Sequence, residues 1–371
     1  MESKKQLTIA QVLPNLDSGG VERGTLEIAE YLLINGQKSI VISGGGRLEE
    51  NLKKNGSLHI NLKVGKKSLL TLFLIPKLLK IIIENKIDII HARSRLPAWL
   101  IYITLKFIPI KQRPFFVTTV HGLNKISWYS RIMTKGDKVI VISKFIKNFI
   151  LSNYKIDPKK IFLIYRGVPS KLKKQNNFFF TRWLKEWNDK YPYIKKKKVL
   201  TISARISRTK GIEIFIHLIK KLIEEGLEVH GLIVGEAKSS NYLKIINKKI
   251  MNFNLTNDIT IVGYRDDIYN ILQYSHITYC LSTLPEPFGR GVIESIKIGT
   301  PVIGFNLGGC GEQLKNIFPN GLIELNDNEA LLAKTKEFLT KKPVVKKTNL
   351  YSLEKMKAET YKVYKSFFKN H

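Results

Sequence analysis

The chain has 371 residues, a length that favours two domains over one. Apolar residues make up 44% and charged residues 25%, a balance that excludes a disordered tail, a collagen-like fibre and a disulfide-rich secreted module. Lys and Arg number 62 against 30 Asp and Glu, so the formal net charge is +32. This excess favours an anionic partner, which can be nucleic acid, acidic lipid or a phosphorylated substrate.

Short β-branched runs alternate with helical patterns through the first half of the chain. Strands are predicted at 7–13, 39–43, 87–91, 115–120, 138–142 and 161–165, and the first is followed by a helix at about 21–34. Strands that alternate with helices predict a parallel sheet that is covered on both faces.

Two apolar stretches, 69–83 and 99–110, are interpreted as helices packed on this sheet. Lys77 and Lys80 interrupt the first, and the second is shorter than the roughly 20 residues that a membrane-spanning helix needs. We therefore expect at most a peripheral contact with the anionic inner face of the cytoplasmic membrane.

The pattern restarts after a polar, Lys-rich segment, 170–198, in which Trp183 and Trp187 suggest a short helix. Strands are predicted at 199–203, 229–234, 259–262, 277–281 and 301–305, and helices at about 211–225, 242–253, 267–274, 291–298, 328–339 and 353–368. We predict two doubly wound, Rossmann-like α/β domains, 1–175 and 195–345, that face a central cleft. Residues 346–371 are expected to pack back toward the first domain, and ligands to bind at the carboxyl ends of the strands.

The two cysteines of the sequence, Cys280 and Cys310, help to predict the cellular compartment of the protein. They are too few for a disulfide framework or a zinc cluster, and we interpret Cys310 as a small packing residue. The first residues, 1–6, lack the apolar segment of a signal peptide. We therefore expect a reducing, cytoplasmic location.

The strongest chemical signal is the segment Glu286-Pro-Phe-Gly-Arg-Gly-Val-Ile-Glu294, between a predicted strand and the helix that follows it. Glu286 falls in the loop, where a carboxylate can accept hydrogen bonds from two sugar hydroxyls. The helix amino end supplies free N–H groups for an anion. Two acids at arbitrary spacing are usually a loop acid and a solvated helix acid, but the surrounding Pro-Phe-Gly favours a site.

This segment resembles the Glu-x7-Glu signature of the retaining glycosyltransferases of family 4, which have the two-domain GT-B fold. Six further motifs match that family in the same order: Gly-Gly-Val-Glu-Arg at 19–23, Thr-Val-His-Gly at 119–122, Ile-Ser-Lys at 142–144, Arg-Gly-Val at 166–168, Ser-Ala-Arg at 203–205 with Lys-Gly at 210–211, and Gly-Thr-Pro-Val at 299–302 with Gly-Gly at 308–309 and Glu312. The resemblance extends from about residue 7 to residue 339.

The resemblance implies roles for residues of the second domain. Arg205 and Lys210 would hold the donor's diphosphate, whose negative charge grows as the glycosidic bond breaks. Glu286 would hold the sugar and Glu294 the nucleotide ribose, while Phe288 and Gly289 would complete the donor site. In isolation, Lys210 would be interpreted as one of many solvated lysines.

In the first domain, Gly19 and Gly20 precede a helix amino end, where the backbone can approach a phosphate closely, and the resemblance places them in the donor site. A lone His is usually structural, but the resemblance puts His121 beside the reacting sugar as a catalytic-site residue and not as a general base. Glu22 and Arg23 either contact the acceptor or shape the loop.

No Asp-x-Asp-like metal motif stands in a matching place, and the family generally works without bound metal. We therefore expect no metal and no cofactor, because the nucleotide-sugar is a substrate. In same-face attack, the leaving phosphate helps to accept the acceptor's proton, and no side-chain base is demanded. Arg166 replaces a common Asn, which leaves details of the acceptor side open.

The resemblance implies a retaining glycosyltransferase that moves a hexose-type sugar from a nucleotide-sugar to a glycolipid or glycan acceptor, as in the synthesis of lipopolysaccharide core or cell-envelope polysaccharide. The alternatives are a sugar-nucleotide epimerase or a soluble-acceptor transferase on the same fold. A basic nucleic-acid-binding protein is a remote alternative, because it predicts a basic stripe with interleaved aromatics or a known module, and the sequence has neither.

Overall fold

A computed structural model describes residues 6–17, 19–169, 177–237, 239–346 and 348–368. The chain divides into two units, the first made of residues up to Tyr165 together with those from Glu354 onward, and the second of Arg166–Leu353. The division thus falls earlier than the predicted domain end at residue 175. Residues 1–5, and residues 170–176 of the predicted polar segment, lie outside the described residues.

A seven-stranded parallel sheet forms the centre of the first unit. Its strands are β1 (Thr8–Val12), β2 (Lys38–Ser43), β3 (Leu58–Asn61), β4 (Ile89–Ala92), β5 (Phe115–Val120), β6 (Lys138–Val141) and β7 (Ile161–Leu163). Its helices are α1 (Gly20–Ile34), α2 (Glu49–Lys54), α3 (Ile75–Glu84), α4 (Arg95–Leu105) and α5 (Lys144–Asn153). The strand order is β3-β2-β1-β4-β5-β6-β7, so it reverses between β1 and β4.

A six-stranded parallel sheet forms the centre of the second unit. Its strands are β8 (Lys198–Ser203), β9 (Val229–Val234), β10 (Ile259–Gly263), β11 (Ile277–Cys280), β12 (Val302–Phe305) and β13 (Leu322–Ile323). Its helices are α6 (Asn177–Lys190), α7 (Ile212–Glu224), α8 (Ser240–Asn252), α9 (Ile268–Tyr274), α10 (Arg290–Ile298), α11 (Gly308–Ile317) and α12 (Asn328–Thr340). The strand order is β10-β9-β8-β11-β12-β13, with the reversal between β8 and β11.

The buried strands are rich in Ile, Val and Leu because helices cover both faces of each sheet. All five residues of β1 are buried, and its register sets Thr8 beside Lys38 of β2 and Ile9 beside Ile89 of β4. The helix predicted from the two tryptophans is α6, whose Trp187 is buried against Val199. These elements confirm the predicted α/β class.

The last helix, α13 (Leu353–Lys365), lies with the first unit from Glu354 onward. The hydroxyl of its buried Tyr364 is 2.6 Å from Nδ1 of His91 in β4. Beyond the helix, the ring of Phe367 stacks on Phe115 with 4.3 Å between centroids. Within the described residues, no helix combines the length and the hydropathy that a bilayer-crossing segment requires.

Candidate functional site

A polar site of the second unit lies at the carboxyl ends of β8 and β11. Arg205 and Lys210 follow β8, and Glu286 follows β11. The strand order reverses there, and the crevice at such a switch point is the usual place for a ligand in an open α/β sheet. A cavity of about 40 Å³ occupies this point, and Lys210, Glu286 and Gly291 lie in its wall.

Lys210 and Glu286 form an ion pair in this crevice. The Nζ of Lys210 is 2.6 Å from Oε1 of Glu286, and the two side chains are only 18% and 19% exposed. The hydroxyl of Ser282 donates to the same Oε1. The loops that follow the two strands thus bring a cation and a carboxylate together although 76 residues separate them.

Gly211 explains why these loops can approach so closely. Its φ of 71° is in the left-handed region, and a Cβ built on it would lie 2.0 Å from the carbonyl oxygen of Leu281. Nearby, the N–H of Thr283 donates to the carbonyl of Thr209 at 3.0 Å. Only glycine fits both the conformation and the contact, so Gly211 holds the Lys210 loop against the Glu286 loop.

Arg205 has a fixed backbone and an exposed side chain. The residues on both sides of it are tied to the end of β9 and the loop that follows, because the N–H of Ala204 donates to the carbonyl of Val234 and the N–H of Ile206 to that of Glu236, each at 3.0 Å. Among the described residues, the guanidinium of Arg205 has no hydrogen bond or ion pair. It is therefore available to an anion at the edge of the crevice.

Glu294 lies about one turn into α10, as predicted, but it does not share a partner with Glu286. Its Oε1 is 2.7 Å from Nε of Arg290 and 3.4 Å from the hydroxyl of Tyr269. The carboxylate of Glu294 is therefore hydrogen-bonded beside the first turn of α10, and the residue is 9% exposed.

Phe288 and Gly289 shape the start of α10. The ring of Phe288 is buried, with its centroid 5.9 Å from that of Tyr351, and its carbonyl accepts from the side chain of Gln313. Phe288 thus anchors the loop from the interior. Gly289 has a φ of 73° and directly precedes the helix, whose first N–H groups lack acceptors within the helix. Gly291, in that first turn, lines the crevice.

Cys280 and Cys310 are joined by a disulfide, so the interpretation of Cys310 as a small packing residue is wrong. Cys280 ends β11 and lies beside Gly304 of the neighbouring strand β12. After β12 the chain turns into α11, whose first turn brings Cys310 next to Cys280. The two sulfurs and a carboxylate oxygen of Glu286 lie within 4.8 Å of one another. Cysteine binds metals as a thiolate, which a disulfide does not offer.

The glycine loop of the first unit follows β1, at the reversal of the first sheet. Gly19 precedes α1 with a φ of 136°, and Gly19 and Gly20 are exposed. The half-buried carboxylate of Glu22 folds back over this turn, because a Cβ on Gly19 would lie 2.7 Å from its Oε2. Arg23 is exposed and its N–H donates to the carbonyl of Gly19 at 3.1 Å. The carboxylate of Glu22 therefore lies against the loop.

A buried polar network near the carboxyl ends of β4 and β5 was not predicted from the sequence. The Nδ1 of His91 is 2.6 Å from the Tyr364 hydroxyl, and its Nε2 is 2.6 Å from Oγ1 of Thr119. Burial, with a further contribution from Arg93, holds the pKa of His91 well below its usual range, so the ring is neutral. Thr119 lies two residues before the half-buried His121, which directly follows β5. The network therefore fixes the strand end from which His121 projects.

Arg93, directly after β4, joins this network to β1 and α1. It is 4% exposed, and its Nη1 donates to Oε1 of Gln11 in β1 and, at 3.4 Å, to the carbonyl of Gly24 in α1. Burial lowers the pKa of the Arg93 guanidinium. The polar run at 91–95 was the available signal, but a buried role follows only once β1 and β4 are known to be neighbours.

The family of the chain follows from comparison with known sequences. Residues 18–172 match Glycosyltransferase Family 4, and residues 185–358 match Glycosyl transferases group 1. The UDP-Gal:alpha-D-GlcNAc-diphosphoundecaprenol alpha-1,3-galactosyltransferase of Escherichia coli is 29% identical over 355 residues, which cover 89% of this chain and 87% of that protein. The chain therefore belongs to the group 1 glycosyltransferases and is a glycosyltransferase.

Solved structures of similar chains support the same family and fold. A glycosyltransferase from Rickettsia africae is 33% identical, with a TM-score of 0.86 over 99% of this chain and 100% of that one. Anabaena Alr3699/HepE, solved in complex with UDP-glucose, is 19% identical, with a TM-score of 0.81 over 97% of this chain and 100% of that one, a likeness of fold alone. The two-domain α/β fold is that of the GT-B glycosyltransferases.

Proposed function

We propose that this chain is a retaining glycosyltransferase that transfers a hexose from a UDP-sugar to a lipid-linked sugar diphosphate, in the synthesis of lipopolysaccharide core or another cell-envelope glycan. The ion pair of Lys210 and Glu286 carries the proposal. It sets a cation suited to a diphosphate beside a carboxylate suited to sugar hydroxyls, at the switch point of the second sheet. The name of the Escherichia coli relative supports the donor and acceptor classes.

The proposed reaction exchanges two bonds at the anomeric carbon. The bond to the diphosphate oxygen breaks, and the acceptor's hydroxyl oxygen bonds to the same face of the sugar. The hydroxyl proton passes to the leaving diphosphate, so no side-chain base is needed. Lys210 and Arg205 stabilise the negative charge that develops on the leaving group, because both cations are in place before the reaction starts.

The remaining residues hold the donor and the acceptor. Glu286 accepts hydrogen bonds from sugar hydroxyls once the diphosphate has taken over Lys210, and Glu294 receives the ribose. The amino end of α10 at Gly289 favours the phosphate charge. In the first unit, Gly19 and Gly20 approach the donor, and His121 contacts the reacting sugar.

The reaction is proposed to need no metal. A divalent cation in a sugar transferase neutralises the diphosphate. The Lys210 ammonium and the exposed Arg205 guanidinium carry two positive charges at the same strand end, and charge-assisted bonds from both can serve that purpose.

The acceptor class explains a basic, apolar surface on the first unit, formed by exposed residues of α3 and of the segment after α4. Phe107 and Ile110 are 65% and 81% exposed. The basic residues of this surface are all exposed: Lys77, Lys80, Lys106, Lys111 and Arg113. Cations that flank exposed apolar side chains suit an anionic bilayer surface, where long basic stems let their apolar neighbours reach the interface. We propose that this surface docks peripherally on anionic lipid, at the inner face of the cytoplasmic membrane.

The donor can be tested by thermal unfolding with UDP-, GDP- and ADP-sugars, because a ligand that binds the folded protein raises its unfolding temperature. We expect stabilisation by UDP-hexoses alone. Stabilisation by none of them would contradict the proposal.

The reaction can then be followed by NMR with a synthetic lipid-linked N-acetylglucosamine diphosphate. We expect a product whose new linkage keeps the donor's anomeric configuration, and inversion would contradict a retaining reaction. Conversion of the UDP-sugar without acceptor would instead favour an epimerase, and transfer to a soluble sugar alone would favour a soluble-acceptor enzyme.

A further inference from the structure

The disulfide spans the loop that carries Glu286. Cys280 is the last residue of β11, and Cys310 lies in the first turn of α11, 30 residues later. They are the two cysteines of the whole sequence. Between them run the loop 281–289 and α10, so the covalent bond closes a ring around the residues proposed to hold the donor.

The first turn of α11 is also the surface on which that loop rests. The N–H of Gly309 donates to the carbonyl of Glu286 at 2.6 Å. A Cβ on Gly309 would lie 2.5 Å from Cα of Phe288, and a Cβ on Gly289 would lie against the sulfur of Cys310. Since no space separates the two segments, a displacement of Cys310 has to move the loop.

We propose that Cys280 and Cys310 are a reversible thiol–disulfide couple that controls the order of the loop 281–289. A small-molecule disulfide, such as glutathione disulfide, oxidises the two protein thiols by taking two electrons and two protons. Its own S–S bond breaks to give two small-molecule thiols, and a new S–S bond forms between Cys280 and Cys310. A dithiol reductant reverses the step. Disulfides in reducing compartments are commonly transient or redox-sensing.

Reduction disturbs the loop for a steric reason. Bonded sulfurs lie about 2.05 Å apart, whereas non-bonded heavy atoms pack at roughly 3.5–4.0 Å. The thiols therefore move apart by roughly 1.5 Å, and Gly289 and Phe288 fill the space beside Cys310. The loop then loses its fixed support, and Glu286 its fixed position beside Lys210. The oxidised protein thus binds the donor more tightly than the reduced protein, a consequence that rests on the proposed function.

Hydrogen exchange tests the couple without any ligand. Protein oxidised with glutathione disulfide is compared with protein reduced by dithiothreitol, and thiol labelling verifies each state. We expect amides in 281–293 to exchange at least tenfold faster in the reduced protein, while α5 of the first unit stays unchanged as an internal control. In Cys280→Ser and Cys310→Ser the loop should exchange fast under both conditions. Equal exchange in the two states of the wild-type protein overturns the proposal, whether or not the variants fold.

Calorimetry with the UDP-hexose that most raises the unfolding temperature tests the consequence for the donor. A sugar-bearing probe is needed because Glu286 is proposed to accept from the sugar hydroxyls and would only compete with UDP itself for Lys210. We expect the Kd for this UDP-hexose to be about tenfold lower in the oxidised protein, with no redox dependence in either serine variant, since a lost hydrogen bond to a charged group costs roughly tenfold to a hundredfold in affinity. Equal or reversed affinities would overturn this part. If no UDP-hexose binds in either state, the proposed function fails, while the exchange experiment still decides the redox couple.

Discussion

The ammonium of Lys210 lies 2.6 Å from a carboxylate oxygen of Glu286, with both side chains largely buried. Each charge compensates the other, so an anion that binds Lys210 has to compete with Glu286. A nucleotide-sugar resolves this competition, because its diphosphate can take Lys210 while its hydroxyls take Glu286. The pair thereby favours a ligand that carries both groups.

Glu286→Gln separates binding from turnover. Without the carboxylate, Lys210 keeps a largely buried charge with a neutral neighbour, so we expect UDP to bind about threefold to tenfold more tightly. Turnover should fall about 100-fold, the scale of losing a preorganised group. Calorimetry and steady-state kinetics measure the two effects. Glu224→Gln is the control, since it removes a carboxylate from the exposed Lys220–Glu224 pair of α7. Weaker UDP binding in Glu286→Gln would contradict the competition.

Arg205→Ala and Lys210→Ala should each lower kcat about 100- to 1,000-fold, because each removes a cation proposed to stabilise the leaving diphosphate. The exposed Arg205 variant should keep the wild-type unfolding temperature. Lys220→Ala, which removes a cation from an exposed surface pair, should retain full activity. Near-normal rates in both site variants would remove these residues from the active site.

Activity should persist in excess EDTA. The proposed counter-charges for the diphosphate are side chains, and chelation leaves them in place. The assay compares initial rates with EDTA, without EDTA and with added magnesium or manganese. A rate that disappears on chelation and returns with either metal would show that the two cations do not replace a metal.

The fold could be predicted because its central strands are short, buried and β-branched. The elements missed from the sequence have weaker signals. β3 is partly exposed and contains His59 and Asn61, and β13 has two residues. α11 begins with Gly308 and Gly309, poor helix formers that the contact with the Glu286 loop requires. Helix propensity therefore fails to predict α11, because contact with the neighbouring loop requires glycine at its first positions.

The candidate site could be predicted as far as its loops. Residues that follow parallel strands share one sheet edge, so the sequence predicts the Lys210 loop and the Glu286 loop at the same edge. The disulfide and the pairing of His91 with Tyr364 join positions 30 and 273 residues apart. Such contacts depend on strand order and on where α13 packs, which a single sequence does not specify.

Acidification should destabilise the protein partly through His230. This ring is buried in β9, and burial, with Lys197 adding, lowers its pKa to about 4. Because the unfolded pKa is near 6.5, the unfolded chain binds a proton between pH 6.5 and 4 that the folded protein does not. The stability contributed by the neutral ring is present above pH 6.5 and is lost as the pH falls toward 4, at up to about 1.4 kcal/mol per pH unit.

Urea unfolding at pH 7, 6 and 5 measures this dependence. His230→Gln should show a shallower fall in the free energy of unfolding than the wild-type protein, since glutamine does not titrate and can still bond Thr260. His217→Gln is the control, because His217 is exposed and its substitution should change the slope less. An unchanged slope in His230→Gln would rule out this source of acid sensitivity.

Membrane docking predicts a binding pattern that depends on where charge is removed. Vesicles that contain anionic lipid should sediment the protein at low salt, and binding should fade toward physiological salt because the Debye length shortens. Each basic residue at such a surface contributes about 1 kcal/mol, so Lys106→Ala with Lys111→Ala should weaken partitioning about 30-fold. Lys244→Ala with Lys248→Ala removes the same charge from exposed positions of α8 in the second unit and should have little effect.

Equal losses in the two double variants would mean that net charge alone drives binding. Protein that stays in the supernatant with anionic vesicles at low salt would refute the membrane proposal and favour a soluble acceptor.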